Sequence, residues 1–173
     1  MIWMAGPVKG AGRITRLALL TAIALTIFLV EAQIPALTAI PGVKLGLANI
    51  VTVYAMFVLG PGDALLVLCA RIFLGAVFSG QMMTLIYSAA GGLLSWCALC
   101  LLRGLLTKEQ IWLASPAAAV FHNAGQLLAA AAVMRTWAVL AYLPYLVLAA
   151  ILAGLFTGVA AQSLIKRLKK IEK

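Results

Sequence analysis

Six apolar runs separated by short polar breaks fill most of this 173-residue chain, and runs of that kind leave it very few folds. A helix that crosses about 30 Å of hydrocarbon needs roughly 20 mostly apolar residues. The runs are Leu17 to Ile34, Leu45 to Leu59, Ala64 to Phe78, Met83 to Leu102, Leu113 to Met134 and Val139 to Leu164. With 65% hydrophobic residues and a mean hydropathy of +1.14, a soluble globule is excluded, since it has too little interior to hide that much apolar surface. The expected fold is all-α: an integral membrane protein, a six-transmembrane-helix bundle forming a single domain over 1–173.

The second and third runs are short and are parted by Gly60-Pro61-Gly62-Asp63, which predicts a tight helical hairpin rather than one kinked helix. The last run is too long for one straight span. Pro144 marks a kink or a false start there, and Tyr142 and Tyr145 suit the headgroup region. The first run is too long for a cleaved signal peptide and reads as the first helix. Tails and loops are too short to bury a core, so no soluble domain is expected.

Thirteen Lys and Arg against four acidic residues give the bundle an orientation. Lys9, Arg13 and Arg16 precede the first run, Arg103 and Lys108 separate the fourth and fifth, and Lys166, Arg167, Lys169, Lys170 and Lys173 follow the sixth. The opposite loops carry only Lys44 and Arg135. Basic loops stay cytoplasmic, so both termini are expected inside a prokaryotic cytoplasmic membrane crossed several times. The basic tail then meets anionic lipid headgroups rather than nucleic acid. Cys69, Cys97 and Cys100 lie within apolar runs and read as packing residues; no metal site is expected.

Ionisable side chains inside a bilayer are costly and usually face a cavity or a partner. Here such groups and their amide neighbours are few: Glu31 and Gln33 at the end of the first run, Lys44 and Asn49 at the start of the second, Arg71 midway along the third, and His122, Asn123 and Gln126 in the fifth. Their spacing makes His122, Asn123 and Gln126 one polar stripe and groups Asn49 with Thr52. The plainer reading has Arg71 neutralised by Glu31 and the amides gluing helices together. A ligand site accounts better for the set, because Glu31, Lys44 and Arg71 are biased toward the outer half of the membrane. The connection from Gln33 to Lys44, with two prolines and a glycine, is stiff, apolar and suited to capping a cavity. Small residues recur at helix-contact spacing: Ala18 and Ala22, Gly91 or Gly92 with Ser88 and Ser95, and Gly154 with Gly158. On the fourth and sixth runs they predict packing within the bundle; Ala18 and Ala22 serve either packing or partner docking.

Several strings resemble the Gx transporter family, whose members often carry the older label heptaprenyl diphosphate synthase component I. They are Glu31-Ala32-Gln33-Ile34-Pro35, Ile40 through Thr52, Arg71-Ile72-Phe73-Leu74-Gly75, Phe78-Ser79-Gly80, Gly91 through Ser95, His122 through Gln126, and Tyr142-Leu143-Pro144. The family is similar to the substrate-binding S components of energy-coupling factor transporters. That resemblance implies an outward-facing site roofed by the loop after the first helix, docking through helix 1 to a coupling subunit driven by ATPases, and a vitamin-like cargo, a flavin such as FAD. A second copy of the chain is the other partner to expect.

The expectation is therefore a carrier, not an enzyme, with no cofactor of its own. Lys44 and Arg71 would supply positive charge to a phosphate or to an electron-rich edge of the ligand. Glu31, Asn49, His122, Asn123 and Gln126 would hydrogen-bond its polar groups, and Tyr54, Tyr87 or Phe121 would stack on it. The prenyl synthase label conflicts with the chemistry: such enzymes hold Mg²⁺ and diphosphate with clustered aspartates, and Asp63 is the one Asp in the chain. The alternative is a non-catalytic membrane subunit of a prenyl diphosphate synthase or redox complex.

Overall fold

The computed structural model describes residues 10–33, 46–80, 82–107 and 110–171. Within them lie six α-helices, as the apolar runs predict: α1 (Ala11–Glu31), α2 (Asn49–Val58), α3 (Pro61–Ser79), α4 (Met82–Leu105), α5 (Ile111–Met134) and α6 (Leu143–Ile171), with a 3-10 helix (Trp137–Tyr142) leading into the last. Five stretches are long and apolar enough to cross a membrane, the fifth joining the 3-10 helix to α6. The exception is α2, whose ten residues make a rod of about 15 Å, half the thickness of the hydrocarbon.

Local chemistry explains where the helices start. α1 begins at Ala11 rather than Leu17, running past its apolar stretch so that Arg13 reaches Asp63, with Nε donating to Oδ1 at 3.0 Å. α3 begins at Pro61 rather than Ala64. Gly60, at φ 114°, turns the chain, Pro61 takes the first helical position, and Asp63 sits in the first turn where the helix dipole favours an acid. α2 starts at Asn49 rather than Leu45, because Gly46 has φ 78° and breaks the helix before it. Pro144 falls in the first turn of α6, where its missing N–H loses no helical bond. The false start is the 3-10 helix, opened by Thr136, whose hydroxyl accepts from the N–H of Ala138 at 3.3 Å.

Short as it is, α2 forms the axis of the bundle, since α1, α3, α4, α5 and α6 all touch it. Val53, Ala55 and Met56 have no exposed surface and pack with Leu99, Ile111, Ala114 and Ala161. Helices α4, α5 and α6 meet through glycines. A Cβ on Gly91 would stand 2.6 Å from the carbonyl oxygen of His122, and one on Gly125 would stand 2.7 Å from that of Ala90. Gly154 faces Pro116, and Gly158 faces the carbonyl of Trp112, whose usual helical donor is missing because Pro116 has no N–H. The N–H of Trp112 donates to Gln162 Oε1 at 3.0 Å, and the hydroxyls of Ser115 and Thr157 lie 2.8 Å apart. The small residues of α4 and α6 thus pack within the bundle, as their spacing predicts. Large apolar side chains such as Phe73, Phe78, Leu101 and Phe156 point outward, as lipid-facing positions do.

The two ends of the bundle differ. One gathers the Arg13–Asp63 ion pair, the indole N–H of Trp96 on the carbonyl of Pro61 (3.0 Å), and the basic residues Arg16, Arg103, Lys166 and Arg167. The other gathers the end of α1, the start of α2 and the exposed Trp137.

Candidate functional site

A helix of half the membrane's thickness must begin in the membrane's interior, and its first N–H groups then need partners that water cannot supply. Ala48, the residue before α2, offers no side-chain cap. The turn before α2 supplies the partners, the N–H groups of Asn49, Ile50 and Val51 donating to the carbonyls of Gly46, Leu47 and Ala48 at 2.9, 3.1 and 3.2 Å. Glu31 at the end of α1 satisfies that turn: Oε1 accepts the N–H of Gly46 at 2.7 Å and Oε2 accepts that of Leu47 at 3.0 Å. Its carboxylate is buried and lies at the positive end of the α2 dipole. Non-helical backbone is tolerated at this depth because a side chain satisfies it.

The turn at Gly46 admits no other residue without strain. Its φ is positive, and a Cβ there would stand 2.9 Å from Cδ2 and 3.2 Å from Nε2 of His122 and 3.1 Å from Nδ2 of Asn49. His122 and Asn49 therefore converge on one point beside the start of α2. The other edge of the imidazole faces α4: Nδ1 lies 3.1 Å from where a Gly91 Cβ would be, next to the Gly91 backbone but without a formed hydrogen bond. Gln126 reaches the same glycine, with Cγ 2.8 Å from that position. Close helix approach at Gly91 and Gly125 is what sets the height and rotation of His122.

Arg71 enters from α3. Only 3% of it is exposed, and among the described residues its Nε and Nη2 have no hydrogen-bond partner. The ring of Phe28 lies 5.7 Å from its Cζ, and Phe28 is itself seated on Gly75. Arg71 is within electrostatic reach of both Glu31 and His122. Asn49 has neither Nδ2 nor Oδ1 satisfied, and it too is buried. Leaving such groups unpaired in an apolar interior costs about 1–3 kcal/mol each, and more for a charge. Four elements thus hold a polar cluster, Glu31, Asn49, Arg71, His122 and Gln126, in which Asn49, Arg71 and His122 keep polar atoms without partners.

Not every residue singled out in the sequence joins it. The polar stripe of α5 divides: His122 and Gln126 face α4, whereas Asn123, turned about 100° by the helical step, donates through Nδ2 to the carbonyl of Leu146 on α6 at 3.1 Å. Gln33 is exposed just beyond α1, and Lys44 lies outside the described residues, as does most of the Gln33–Lys44 connection. Tyr54 packs beside the core around Met56, Tyr87 is buried among Leu127, Ala130 and Leu146, and Phe121 faces outward. The ring beside the cluster is Phe28, which the sequence reading passed over. Its place three residues before Glu31, one turn down the same helix face, is the signal that marks it. Ala18 and Ala22 are exposed along α1.

This division predicts opposite outcomes for neighbouring residues. Asn123→Ala is expected to lower stability by on the order of 1 kcal/mol through the lost interhelical bond and to leave ligand affinity unchanged. His122→Ala is expected to weaken ligand binding. Thermal melts and equilibrium binding on the two purified variants check it, and a binding loss in Asn123→Ala would return that residue to the site.

A family model described as heptaprenyl diphosphate synthase component I matches residues 20–164, which take in Glu31, Asn49, Arg71, His122 and Gln126 and nearly all of the helical bundle. No curated protein and no solved structure matches the chain. The match spans most of the sequence and the apolar helices supply its setting: the chain is a multi-span membrane protein of the heptaprenyl diphosphate synthase component I family.

Proposed function

We propose that this protein is a membrane carrier, or the substrate-binding subunit of one, for a small vitamin-like cofactor, a flavin, moved across the cytoplasmic membrane. The observation that carries the reading is the buried cluster at the start of α2, where Asn49, Arg71 and His122 keep polar atoms without partners. Glue between helices satisfies its own hydrogen bonds, as the Ser115–Thr157 pair does, and Asn123 does so through Nδ2 alone, its Oδ1 having no partner. A ligand site leaves them for the ligand. Arg13, Arg16, Arg103, Lys166 and Arg167 gather at the opposite end of the bundle against Arg135 at this one, so under the positive-inside rule the cluster sits in the outer half of the membrane. The exposed stripe of Ala18 and Ala22 gives α1 a surface on which a coupling subunit with ATPases, or a second copy, can approach closely.

Catalysis fits less well. Asp63, the one aspartate of the chain, is paired with Arg13 at the end of the bundle away from the cluster, so the aspartate cradle of a prenyl diphosphate synthase cannot be assembled from these residues. The family's description keeps a second reading in view, a non-catalytic membrane subunit of a prenyl diphosphate synthase or redox complex.

Titration of riboflavin, FMN and FAD into the purified protein in mild detergent, followed by flavin fluorescence, separates the two. Saturable quenching by at least one flavin, lost in Asn49→Ala, is expected of a carrier. Absence of binding, together with failure of a partner complex to assemble when the chain is deleted, is the result expected of a structural subunit.

A further inference from the structure

We infer that the site holds its ligand by an oxyanion, a carboxylate or a phosphate, seated side-on against Nε and Nη2 of Arg71 with Nδ2 of Asn49 as the next donor. The inference rests on the cluster being a ligand site and names the chemistry it selects. In a guanidinium, Nε–H and one Nη2–H point the same way from one edge and match two oxygens of a carboxylate or phosphate. Both are fully buried atoms of Arg71 without partners, on a side chain 3% exposed. Phe28 lies near the guanidinium and stabilises its charge, but a ring cannot accept the in-plane edge donors.

The protein's own acid is engaged elsewhere. Both oxygens of Glu31 take backbone N–H groups, at Gly46 and Leu47. The other seat an anion commonly uses, the N–H groups at a helix start, is closed as well, since those of Asn49, Ile50 and Val51 go to the carbonyls of Gly46, Leu47 and Ala48. A ligand's negative charge is thereby directed to Arg71 rather than to α2. Asn49, whose Nδ2 is without a partner and which meets His122 beside Gly46, supplies a further buried donor in the same cluster. A carboxylate is satisfied by the two Arg71 donors, whereas a phosphate has a third oxygen for Asn49.

The test uses the full chain in detergent at constant ionic strength, with inorganic phosphate, phenyl phosphate and benzoate as probes, chloride as reference, and the thermal midpoint as readout. At least one oxyanion is expected to raise the midpoint saturably in the wild type. The half-saturating concentration should rise at least ten-fold in Arg71→Lys, which keeps the charge and loses the paired donors, and the shift should vanish in Arg71→Gln. Asn49→Ala is expected to weaken phenyl phosphate and spare benzoate if the natural group is a phosphate; a response to benzoate alone, indifferent to Asn49, identifies a carboxylate. No shift beyond that of chloride, or equal shifts in wild type and Arg71→Lys, overturns the inference; if Arg71→Gln does not fold, Arg71→Lys decides. Riboflavin and FMN, which differ by one phosphate, keep it separable from the flavin reading. An Arg71-dependent phenyl phosphate shift with no flavin binding sinks the flavin and keeps the oxyanion, whereas equal binding of both flavins to wild type and Arg71→Lys does the reverse.

Discussion

Arg71→Met is expected to raise the thermal midpoint of the ligand-free protein while reducing ligand affinity by on the order of 100-fold. The two effects have one cause. An arginine buried in α3 with Nε and Nη2 unsatisfied is held in the empty protein at a loss, because its charge has left water without gaining hydrogen-bonded oxygens in return. Burying an ion costs several kcal/mol, and that penalty is returned when an apolar side chain of similar volume replaces it, since Arg71 forms no salt bridge with a described residue that the change would break. Methionine is long and adaptable enough to fill the space beside Phe28 and Gly75. Charge-assisted hydrogen bonds contribute about 1.5–3 kcal/mol each, so losing the paired donors accounts for the affinity change. If Arg71 serves instead to neutralise Glu31 and tie α3 to α1, the same substitution lowers the midpoint. Melting curves of the two proteins, with and without ligand, therefore separate a ligand residue from a structural one by the sign of a single difference.

The bundle was legible in the sequence because hydrocarbon imposes a length on apolar runs, and six such runs give six helices. Their ends were less legible. Arg13 and Arg16 continue α1 beyond the apolar stretch, and the left-handed turn at Gly46 shortens α2 to half a span, neither of which hydropathy registers. Pro116 inside α5 also passes unnoticed among alanines, although its missing N–H shapes the seam with α6. At the site, residue type carried more than spacing. Glu31, Asn49, Arg71, His122 and Gln126 stand out because polar groups are rare at that depth, and they come together in space. Asn123 stands out equally and belongs to the α6 seam, because one residue along a helix turns a side chain toward a different neighbour. Phe28 had no mark but its spacing from Glu31, since an aromatic ring in an apolar helix looks like any other until an arginine is found beside it.

Glu31→Ala is expected to be the most damaging single change, lowering stability by about 3–5 kcal/mol. Two consequences add. The N–H groups of Gly46 and Leu47 lose their acceptors in a place without water, at about 1–3 kcal/mol each, and Arg71 loses the one acid within its electrostatic reach on the described elements. Glu31→Gln keeps one amide oxygen and should fall between wild type and alanine. The two consequences separate in a double-mutant cycle: in an Arg71→Met background the charge is gone and only the backbone donors suffer, so Glu31→Ala should cost about 2 kcal/mol less there than in the wild type. Amide hydrogen exchange at Gly46 and Leu47 should accelerate in Glu31→Ala whether or not Arg71 is present. Additive losses in the cycle would sink the electrostatic coupling, and unchanged exchange would remove Glu31 from the start of α2. The predicted pattern makes one carboxylate responsible for both the backbone that opens the site and the charge balance within it, with Arg71 left to the ligand.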